Sequence, residues 1–279
     1  MNRRIEWRNA GRKGRNPHAP ANAFARNRAR RAAPADDALY IYGLHPVRHA
    51  LANPRRTKIA LHATKNALGR LEVEPSLLAG LEIRETDPKS LDRLLGGEAV
   101  HQGIALECLP LKPRRLRELA DADLVVVLDQ VTDPHNVGAV MRSAVAFGAG
   151  ALITTSRHSP VETGVLAKSA SGALELIDHI EVRNLAECLG ELAELGFATI
   201  GLDSEATGTL EEISAAARIA LVLGAEGKGL RQKTRETCTH LARLDLPGAI
   251  KSLNVSNAAV LALYVAGRKL AATRSPSRA

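Results

Sequence analysis

The feature that most constrains the fold is an alternation of apolar runs and helical patterns that begins at Leu124. The first run, LVVVL, is apolar without interruption, as expected for a strand that is covered on both faces. Similar strand patterns follow at 151–154, 179–182, 197–202, 219–223 and 241–246. Helical patterns come between and after them, at 138–147, 164–173, 185–195, 229–238 and 254–270. This alternation predicts an α/β fold with a parallel sheet and helices on both faces.

Four loops of this region are the places where a ligand site is expected. Ligands of open parallel sheets bind beyond the carboxyl ends of the strands. The relevant loops therefore follow Leu128, Leu202, Leu223 and Leu246.

A smaller α/β pattern precedes this region. Its strand patterns lie at 39–42, 58–62, 81–86 and 104–109, and its helical patterns lie at 46–52, opened by Pro46, and at 88–95. The stretch from Pro110 to Asp123 is charged, contains two prolines and predicts a linker or a linking helix. We predict five segments: a basic arm at 1–36, a small α/β domain at 37–109, a linker at 110–121, the sheet domain at 122–272 and a tail at 273–279.

Charge is concentrated at the start of the chain. The net charge is +8, yet residues 1–35 hold ten Lys or Arg and one acid, so the remainder sums to −1. Because the arm has no helical or strand period, we predict that it is disordered and contacts phosphate backbones. The candidate RNA contacts are Arg12, Lys13, Arg15, Arg28, Arg30 and Arg31. A solubilising extension, a wrongly assigned start and a mitochondrial targeting segment remain alternatives.

Composition excludes several classes of protein. The longest apolar stretch, Ala258 to Ala266, has nine residues, whereas a membrane-spanning helix needs about twenty. The three cysteines form no CxxC pair, which favours a reducing compartment and hence the cytoplasm. His45 and His49 lack a third ligand, so we expect no metal. Aromatic residues make up only 3%, so any RNA contact should use phosphates and shape rather than base stacking.

The loop after Leu128 contains Asn136 and, six residues later, Arg142. Asn136 suits the N-cap of the following helix. The helix around Arg142 is largely apolar, which predicts a partner for the guanidinium rather than idle solvation.

The loop after Leu223, GAEGKGL, has the spacing G-x-x-G-x-G. This spacing is the reverse of the dinucleotide fingerprint, and the loop lacks the GK[ST] ending of a P-loop. Glu226 would repel phosphates. The loop therefore suits a ligand that is neutral or cationic where it meets the protein, with a plain structural turn as the alternative.

The loop after Leu246 places Ser252, Asn254, Ser256 and Asn257 before a helix that is apolar all round. Such a helix is expected to be buried, in a core or across a dimer. Ser252 or Asn254 as its N-cap is the simplest interpretation of the polar cluster.

Taken together, DPHNVGAVMRSAVAFGA, LVLGAEGKGL and LPGAIKSLNVSNAAVLALY resemble the three motifs of the TrmH family of SPOUT-superfamily RNA methyltransferases. The resemblance covers roughly residues 122–270, and Asn257 departs from it, since the family more often has an aliphatic residue there. IYGLHPVRHAL and VHQGIAL resemble the ribosomal-protein-like RNA-binding domain of the subgroup that methylates 23S rRNA guanosine.

The resemblance implies transfer of a methyl group from S-adenosyl-L-methionine to a ribose 2′-hydroxyl. It also implies a C-terminal trefoil knot, a homodimer with the active site near the interface, and no metal. The implied cofactor-binding residues are Leu202, Gly224, Ala225, Gly227, Leu246 and Leu253. The implied catalytic residues are Asn136, Arg142, Glu226, Ser252 and Asn254.

The roles of these residues remain open in part. The family's proposed base is Arg142, but an arginine is expected to stay protonated. We therefore prefer Arg142 as a phosphate clamp, with Asn136 and Ser252 orienting the hydroxyl. Glu226 would pair with Arg142 or organise the pocket, and Asn254 would shape the cofactor loop.

Three hypotheses for function follow. The first is rRNA 2′-O-methyl transfer, with tRNA as a variant substrate. The second is a non-catalytic RNA-binding or assembly factor with the same fold, and the third is a nucleotide-binding enzyme of doubly wound type.

Overall fold

The structure, a computed structural model, describes residues 37–119, 122–157, 159–214 and 216–274. The predicted basic arm, its six candidate RNA contacts and residues 275–279 lie outside the described residues. Within the described ranges, no helix combines the length and the hydropathy needed to cross a membrane.

The front region folds around a four-stranded mixed sheet in the order β1-β4-β2-β3. Its strands are β1 (Leu39–Tyr42), β2 (Lys58–Ala63), β3 (Glu82–Glu85) and β4 (Ile104–Cys108). Its helices are α1 (Leu44–Ala52), α2 (Lys65–Arg70) and α3 (Pro88–Leu95). Strand β4 runs antiparallel to both neighbours, while β2 and β3 are parallel. The short helix α2 was not predicted from the sequence.

The second region is a six-stranded sheet in the order β10-β8-β9-β5-β6-β7, with every pair parallel. Its strands are β5 (Leu124–Asp129), β6 (Ala151–Thr155), β7 (Asp178–Val182), β8 (Ala198–Leu202), β9 (Ile219–Gly224) and β10 (His240–Ala242). Its helices are α4 (Pro134–Ala146), α5 (Gly164–Ala170), α6 (Leu185–Glu194), α7 (Gln232–Thr237) and α8 (Val255–Arg274). The predicted parallel α/β sheet is thereby confirmed.

Strand β5 shows why an uninterrupted apolar run was required. Leu124, Val126 and Leu128 face one core with α4, α5 and α8, whereas Val125 and Val127 face another with α6. Alternate residues of the strand point to opposite faces. A polar residue at any of these positions would therefore lie inside a helix-covered layer.

Several predicted boundaries differ from the structure. Helix α4 begins at Pro134 instead of 138, because Asp133 caps it and proline is favoured in the first helical turn. Helix α5 ends at Ala170, because Ser171 adopts a left-handed conformation with φ 51°. Helix α7 is shorter than predicted, and β10 stops at Ala242 rather than 246.

The last helix was expected to be buried in a core or across a dimer, and within one chain only one of its faces is buried. Ala259, Ala262, Leu263 and Ala266 of α8 are buried against the sheet. Its other face exposes large apolar side chains, with Tyr264 55% exposed. An all-apolar pattern on a helix does not tell whether the second face meets the same chain, a second chain or water.

The predicted linker runs along the open edge of the second sheet. Arg114 forms a parallel bridge with Ile180 of β7, and a short 3-10 turn follows at Leu116–Glu118. The described part of this stretch therefore contains no α-helix. The segment boundaries stay a prediction.

A buried charge cluster joins the two sheets. The guanidinium of Arg56 forms ion pairs with Glu162 and Glu175, and its side chain is fully buried. Asn53 Nδ2 donates to Glu175 Oε2 over 2.6 Å. Burial raises the pKa of Glu162 even though Arg56 acts in the opposite direction. Removal of one partner of such a cluster would leave an unpaired buried charge, which is strongly destabilising. The cluster therefore holds the front sheet against the second one.

Candidate active site

The loops that follow β8, β9 and β10 meet at the carboxyl edge of the second sheet. They enclose a cavity of about 220 Å³, named here the first cavity. It is lined by Leu202, Asp203, Ser204, Leu223, Gly224, Ala225, Glu226, Gly227, Gly229, Leu244, Leu246, Lys251, Ser252, Leu253, Val255 and Ala258. The position agrees with the general rule for ligand sites of parallel sheets.

All six residues that the resemblance assigned to the cofactor line the first cavity: Leu202, Gly224, Ala225, Gly227, Leu246 and Leu253. They come from three separate loops, so only the fold brings them together. The leucines supply apolar walls, while the glycine loop supplies backbone groups. Their assignment to a bound cofactor stays a proposal.

The glycine loop turns back on itself within five residues. The amide of Gly229 donates to the carbonyl of Ala225 over 2.8 Å, and the two residues form an antiparallel bridge. Gly227 and Gly229 have φ values of 75° and 64°, which side chains strongly disfavour. A Cβ on Gly224 would collide with the backbone of Gly229. The loop thus presents bare backbone to the first cavity.

A second cavity of about 600 Å³ adjoins the first one, on the side of α4. It is lined by Gln130, Val131, Thr132, Asp133, Asn136, Ala225, Glu226, Lys228 and Val255. Ala225, Glu226 and Val255 line both cavities. A group held in the first cavity therefore lies beside a group held in the second.

Three of the candidate catalytic side chains meet at this boundary. Nδ2 of Asn254 donates to Oδ1 of Asn136 over 3.1 Å, and Oε2 of Glu226 lies 3.4 Å from the same nitrogen. Ser252 lines the first cavity next to them. The structure thus brings together four of the five predicted catalytic residues.

The N-cap predictions had mixed outcomes. Oδ1 of Asn254 accepts from the amide and the hydroxyl of Ser256, over 2.9 and 2.6 Å, at the start of α8. Asn254 therefore caps the helix, as one interpretation of the loop proposed. Asn136 does not cap α4, since Asp133 accepts from the amide of His135 over 3.0 Å instead. The side-chain amide of Asn136 is therefore not used for capping, and Asn136 lines the second cavity.

Arg142 is the predicted residue that the structure separates from the others. It lies six residues beyond Asn136 on α4, is exposed and lines neither cavity. The expected partner for its guanidinium is absent from the ion pairs of the described residues, because the side chain reaches solvent. Of the two roles expected for Glu226, the pairing with Arg142 is not formed within this chain, whereas Glu226 contacts Asn254 at the pocket.

Two ion pairs that the sequence analysis missed hold the loops in place. Arg231, just after the glycine loop, donates from Nε to Oδ1 of Asp129 over 2.7 Å and from its amide to Oδ2 over 3.0 Å. One turn later, Nε of Arg235 lies 2.8 Å from Oδ2 of Asp203. Both carboxylates are buried at the ends of the strands that flank β9. The signal in the sequence was an aspartate that directly follows a buried strand.

The donor set of the first cavity fits an uncharged or cationic ligand better than a phosphorylated one. Glu226 contributes a carboxylate to its wall. The ammonium of Lys251 donates to the carbonyl of Leu246 over 2.7 Å and so closes its own loop. Among the described residues, no three His, Cys, Asp or Glu side chains form a group suited to a metal.

Comparison with protein families decides the classification. The model of the SpoU rRNA Methylase family matches residues 123–264, which span the second sheet and both cavities. The chain belongs to the SpoU rRNA methylase family. A second family model, described as RNA 2′-O ribose methyltransferase substrate binding, matches residues 40–114. The resemblance drawn from the three motifs and from the front region is confirmed.

Relatives that are named as 23S rRNA methyltransferases align with four fifths or more of this chain. A protein of Vibrio vulnificus named 23S rRNA (guanosine-2′-O-)-methyltransferase RlmB is 36% identical over 247 residues, covering 84% of this chain and 98% of its own. A protein of the same name from Pseudomonas aeruginosa is 38% identical over 234 residues, covering 80% and 94%.

Solved structures share the fold of this SpoU family member. The S-adenosylmethionine-bound rRNA methyltransferase of Sinorhizobium meliloti superimposes with a TM-score of 0.72 at 20% identity, covering 84% of this chain and 88% of its own. AviRb of Streptomyces viridochromogenes, a SpoU methyltransferase with the same cofactor, gives 0.70 at 22% identity, covering 84% and 90%.

Proposed function

We propose that this SpoU family member transfers the methyl group of S-adenosylmethionine to the ribose 2′-hydroxyl of a guanosine in 23S rRNA. The observation that carries the proposal is the boundary between the two cavities, where Asn136, Glu226 and Asn254 meet. Relatives at 36–38% identity that carry this function support the substrate.

The first cavity fits S-adenosylmethionine. The cofactor supplies an electrophilic methyl group on a sulfonium, and the sulfonium is a cation. Leu202, Leu246 and Leu253 offer apolar walls for an adenine ring, and the glycine loop offers backbone donors and acceptors for its edge. Glu226 contributes negative charge on the side that faces the second cavity.

The second cavity would hold the target ribose. A hydroxyl is a weak nucleophile, so the site has to hold it on line with the methyl group, and such positioning lowers a barrier by roughly 7–11 kcal/mol. Asn136 lines the second cavity and Ser252 the first, so both lie within the part of the site where the hydroxyl would be oriented.

Glu226 is the residue that we propose to receive the hydroxyl proton. Among the described residues, it provides the one carboxylate that lines both cavities, since Asp133 lines only the second and Asp203 only the first. Its contact with Asn254 Nδ2 fixes one oxygen and leaves the other for the hydroxyl. Bond formation between the ribose oxygen and the methyl carbon would accompany loss of the proton to this carboxylate.

Arg142 requires a different account, because it lies away from both cavities of its own chain. We propose a homodimer in which Arg142 reaches the site of the partner subunit and contacts the RNA backbone. The exposed apolar face of α8, formed by Val260, Leu261 and Tyr264, supports such an interface. Phe147 at the end of α4 packs edge-on against Tyr264, so α4 borders this face.

The dimer hypothesis has a direct test by complementation. Arg142→Ala and Glu226→Gln should each be inactive as homodimers. If Arg142 acts across the interface, mixing the two after unfolding and refolding should restore activity, because one site of each heterodimer is intact. Mixed dimers without activity would place both residues in one subunit and contradict the proposal.

RNA recognition would be shared between the front domain and the basic arm. The front region matches a substrate-binding family model, and the arm carries nine net positive charges in residues 1–35. A protein that modifies rRNA works where ribosomes are made, so we propose the cytoplasm as its location.

The substrate is tested by offering tritiated S-adenosylmethionine with separate pools of unmodified 23S rRNA and tRNA. The proposal expects label in the rRNA pool. Label in tRNA alone would keep the reaction but contradict the substrate. No label in either pool, together with no calorimetric binding of S-adenosylmethionine, would favour a non-catalytic RNA-binding factor.

A further inference from the structure

An RNA strand that enters the second cavity brings its phosphates close to carboxylates of the protein. Asp133 and Glu226 line it with carboxylates, and a ribose within an RNA strand carries a phosphate on each side. Like charges repel each other strongly at short range near a protein surface. The site therefore needs a cation beside the target ribose.

Lys228 is the cation that the described lining of this cavity provides. It lies at the tip of the glycine loop, between Gly227 and Gly229. It lines the second cavity and not the first, although its neighbours Gly227 and Gly229 line the first. The loop thus separates the two cavities and carries its positive charge on the side of the second.

The loop is held firmly enough to place this side chain. The Ala225–Gly229 hydrogen bond closes the turn, and Arg231 fastens its end to the buried Asp129. The positive φ angles of Gly227 and Gly229 give Lys228 its position at the tip. The closed turn therefore keeps the backbone of Lys228 beside the second cavity, within reach of a group bound there.

The other cationic side chains near the site either donate to another group of the protein or line neither cavity. Lys251 lines the first cavity and donates to the carbonyl of Leu246. Arg142 lines neither cavity. Lys228, by contrast, is exposed and forms no ion pair with any residue in the described ranges. Its ammonium is therefore available to a ligand.

We propose that Lys228 binds the RNA phosphate adjacent to the target ribose and so positions the 2′-hydroxyl, a role that rests on the proposed function. Lysine suits a single exposed phosphate, since its ammonium acts as a point charge with rotatable donors. The ligand class is a phosphodiester of the RNA backbone, which carries no base identity.

The test compares Lys228→Met with Lys233→Met, which removes another exposed lysine, on α7, that lines neither cavity. Binding of an unmodified 23S rRNA transcript is measured by fluorescence anisotropy at several salt concentrations. Loss of one phosphate contact reduces the slope of log K against log salt by about one. We expect this change, with about 5- to 10-fold weaker RNA binding, in Lys228→Met alone. Lys228→Arg should restore most of the affinity.

Cofactor binding and methyl transfer separate the possible outcomes. Calorimetric binding of S-adenosylmethionine to Lys228→Met should match the unaltered protein, since Lys228 does not line the first cavity. A loss of cofactor affinity would overturn the proposal and assign Lys228 to the cofactor. An unchanged salt slope would overturn it as well. Failure of the proposed function would appear differently, as RNA binding by the unaltered protein without methyl transfer.

Discussion

Asn254 Nδ2 lies 3.1 Å from Asn136 Oδ1, so the first turn of α4 and the residue before α8, 118 positions apart in the chain, meet at one hydrogen bond. The same Asn254 caps α8 through its Oδ1 atom. One side chain therefore fastens the last helix and orients the amide of Asn136 at the second cavity. The two functions of Asn254 use different atoms, which makes them separable by substitution.

Asn254→Asp should separate capping from positioning. Aspartate caps a helix as well as asparagine does, so the contribution of the cap to the free energy of unfolding should be kept. It cannot donate to Asn136, and its charge lies close to Glu226, so methyl transfer should fall sharply. Asn254→Ala should lose both functions and about 1 kcal/mol of stability. Urea unfolding and initial rates measure the two effects, and equal rates for Asn254→Asp and the unaltered protein would contradict this account.

Glu226→Gln should lower kcat by a much larger factor than it lowers the affinity for S-adenosylmethionine. Amide replaces carboxylate with the same shape, so the cavities persist but the proton acceptor is lost. Removal of a general base costs roughly 10²- to 10⁴-fold in rate. The matched control is Glu194→Gln, at an exposed position at the end of α6. A variant that retains more than half of the rate would exclude Glu226 as the acceptor.

Arg231→Gln should weaken cofactor binding without touching the cofactor. The change removes the 2.7 Å contact with Asp129, whose carboxylate is fully buried. A lost hydrogen bond to a charged group costs about 2 kcal/mol, and the glycine loop should lose its anchor. The double variant Asp129→Asn with Arg231→Gln should recover part of the stability, because no buried charge is left unpaired. Additive losses in the double-mutant cycle would show that the two residues are not coupled.

His179 makes stability depend on pH in the mildly acidic range. Burial lowers its pKa from 6.5 to about 4, and its Nε2 lies 2.9 Å from Oγ1 of Thr154. Above pH 6.5 the ring is neutral in both states and has no effect. Between pH 6.5 and about 4 the unfolded chain takes up a proton that the folded chain excludes, so folding loses up to about 3 kcal/mol.

The measurement is urea unfolding at pH 7 and pH 4.5. His179→Gln should lose less stability over this interval than the unaltered protein does, by up to about 3 kcal/mol. The exposed His45 on α1 provides the control substitution. Identical losses for all three proteins would contradict the assignment to His179.

Local patterns in the sequence were sufficient to predict part of the fold and the position of the site. The LVVVL run predicted a doubly covered strand, because burial on both faces leaves no polar position. The loops after Leu202, Leu223 and Leu246 were expected at one edge of the sheet, since the carboxyl ends of parallel strands share an edge. The Asp133-Pro134 pair also signalled the true start of α4, but Asn136 was chosen as the cap.

Other features depend on contacts that no local pattern encodes. The Asp129–Arg231 pair joins residues 102 positions apart, and its existence depends on the order β8-β9-β5 in the sheet. The exposed face of α8 could not be separated from a buried one, because Tyr264 and Leu261 are apolar in either case. The exposure of Arg142 was also missed, because the apolar residues around it on the helix predicted a partner for its guanidinium instead of solvent. The trefoil knot stays a prediction.

We propose that the methyl group goes to a ribose 2′-hydroxyl held between the two cavities. The most direct measurement digests 23S rRNA labelled from tritiated S-adenosylmethionine and identifies the labelled nucleoside by chromatography. We predict label in 2′-O-methylguanosine, present with the unaltered protein and lost with Glu226→Gln. Label in a base-methylated nucleoside, or in 2′-O-methylguanosine to an equal extent with Glu226→Gln, would contradict it.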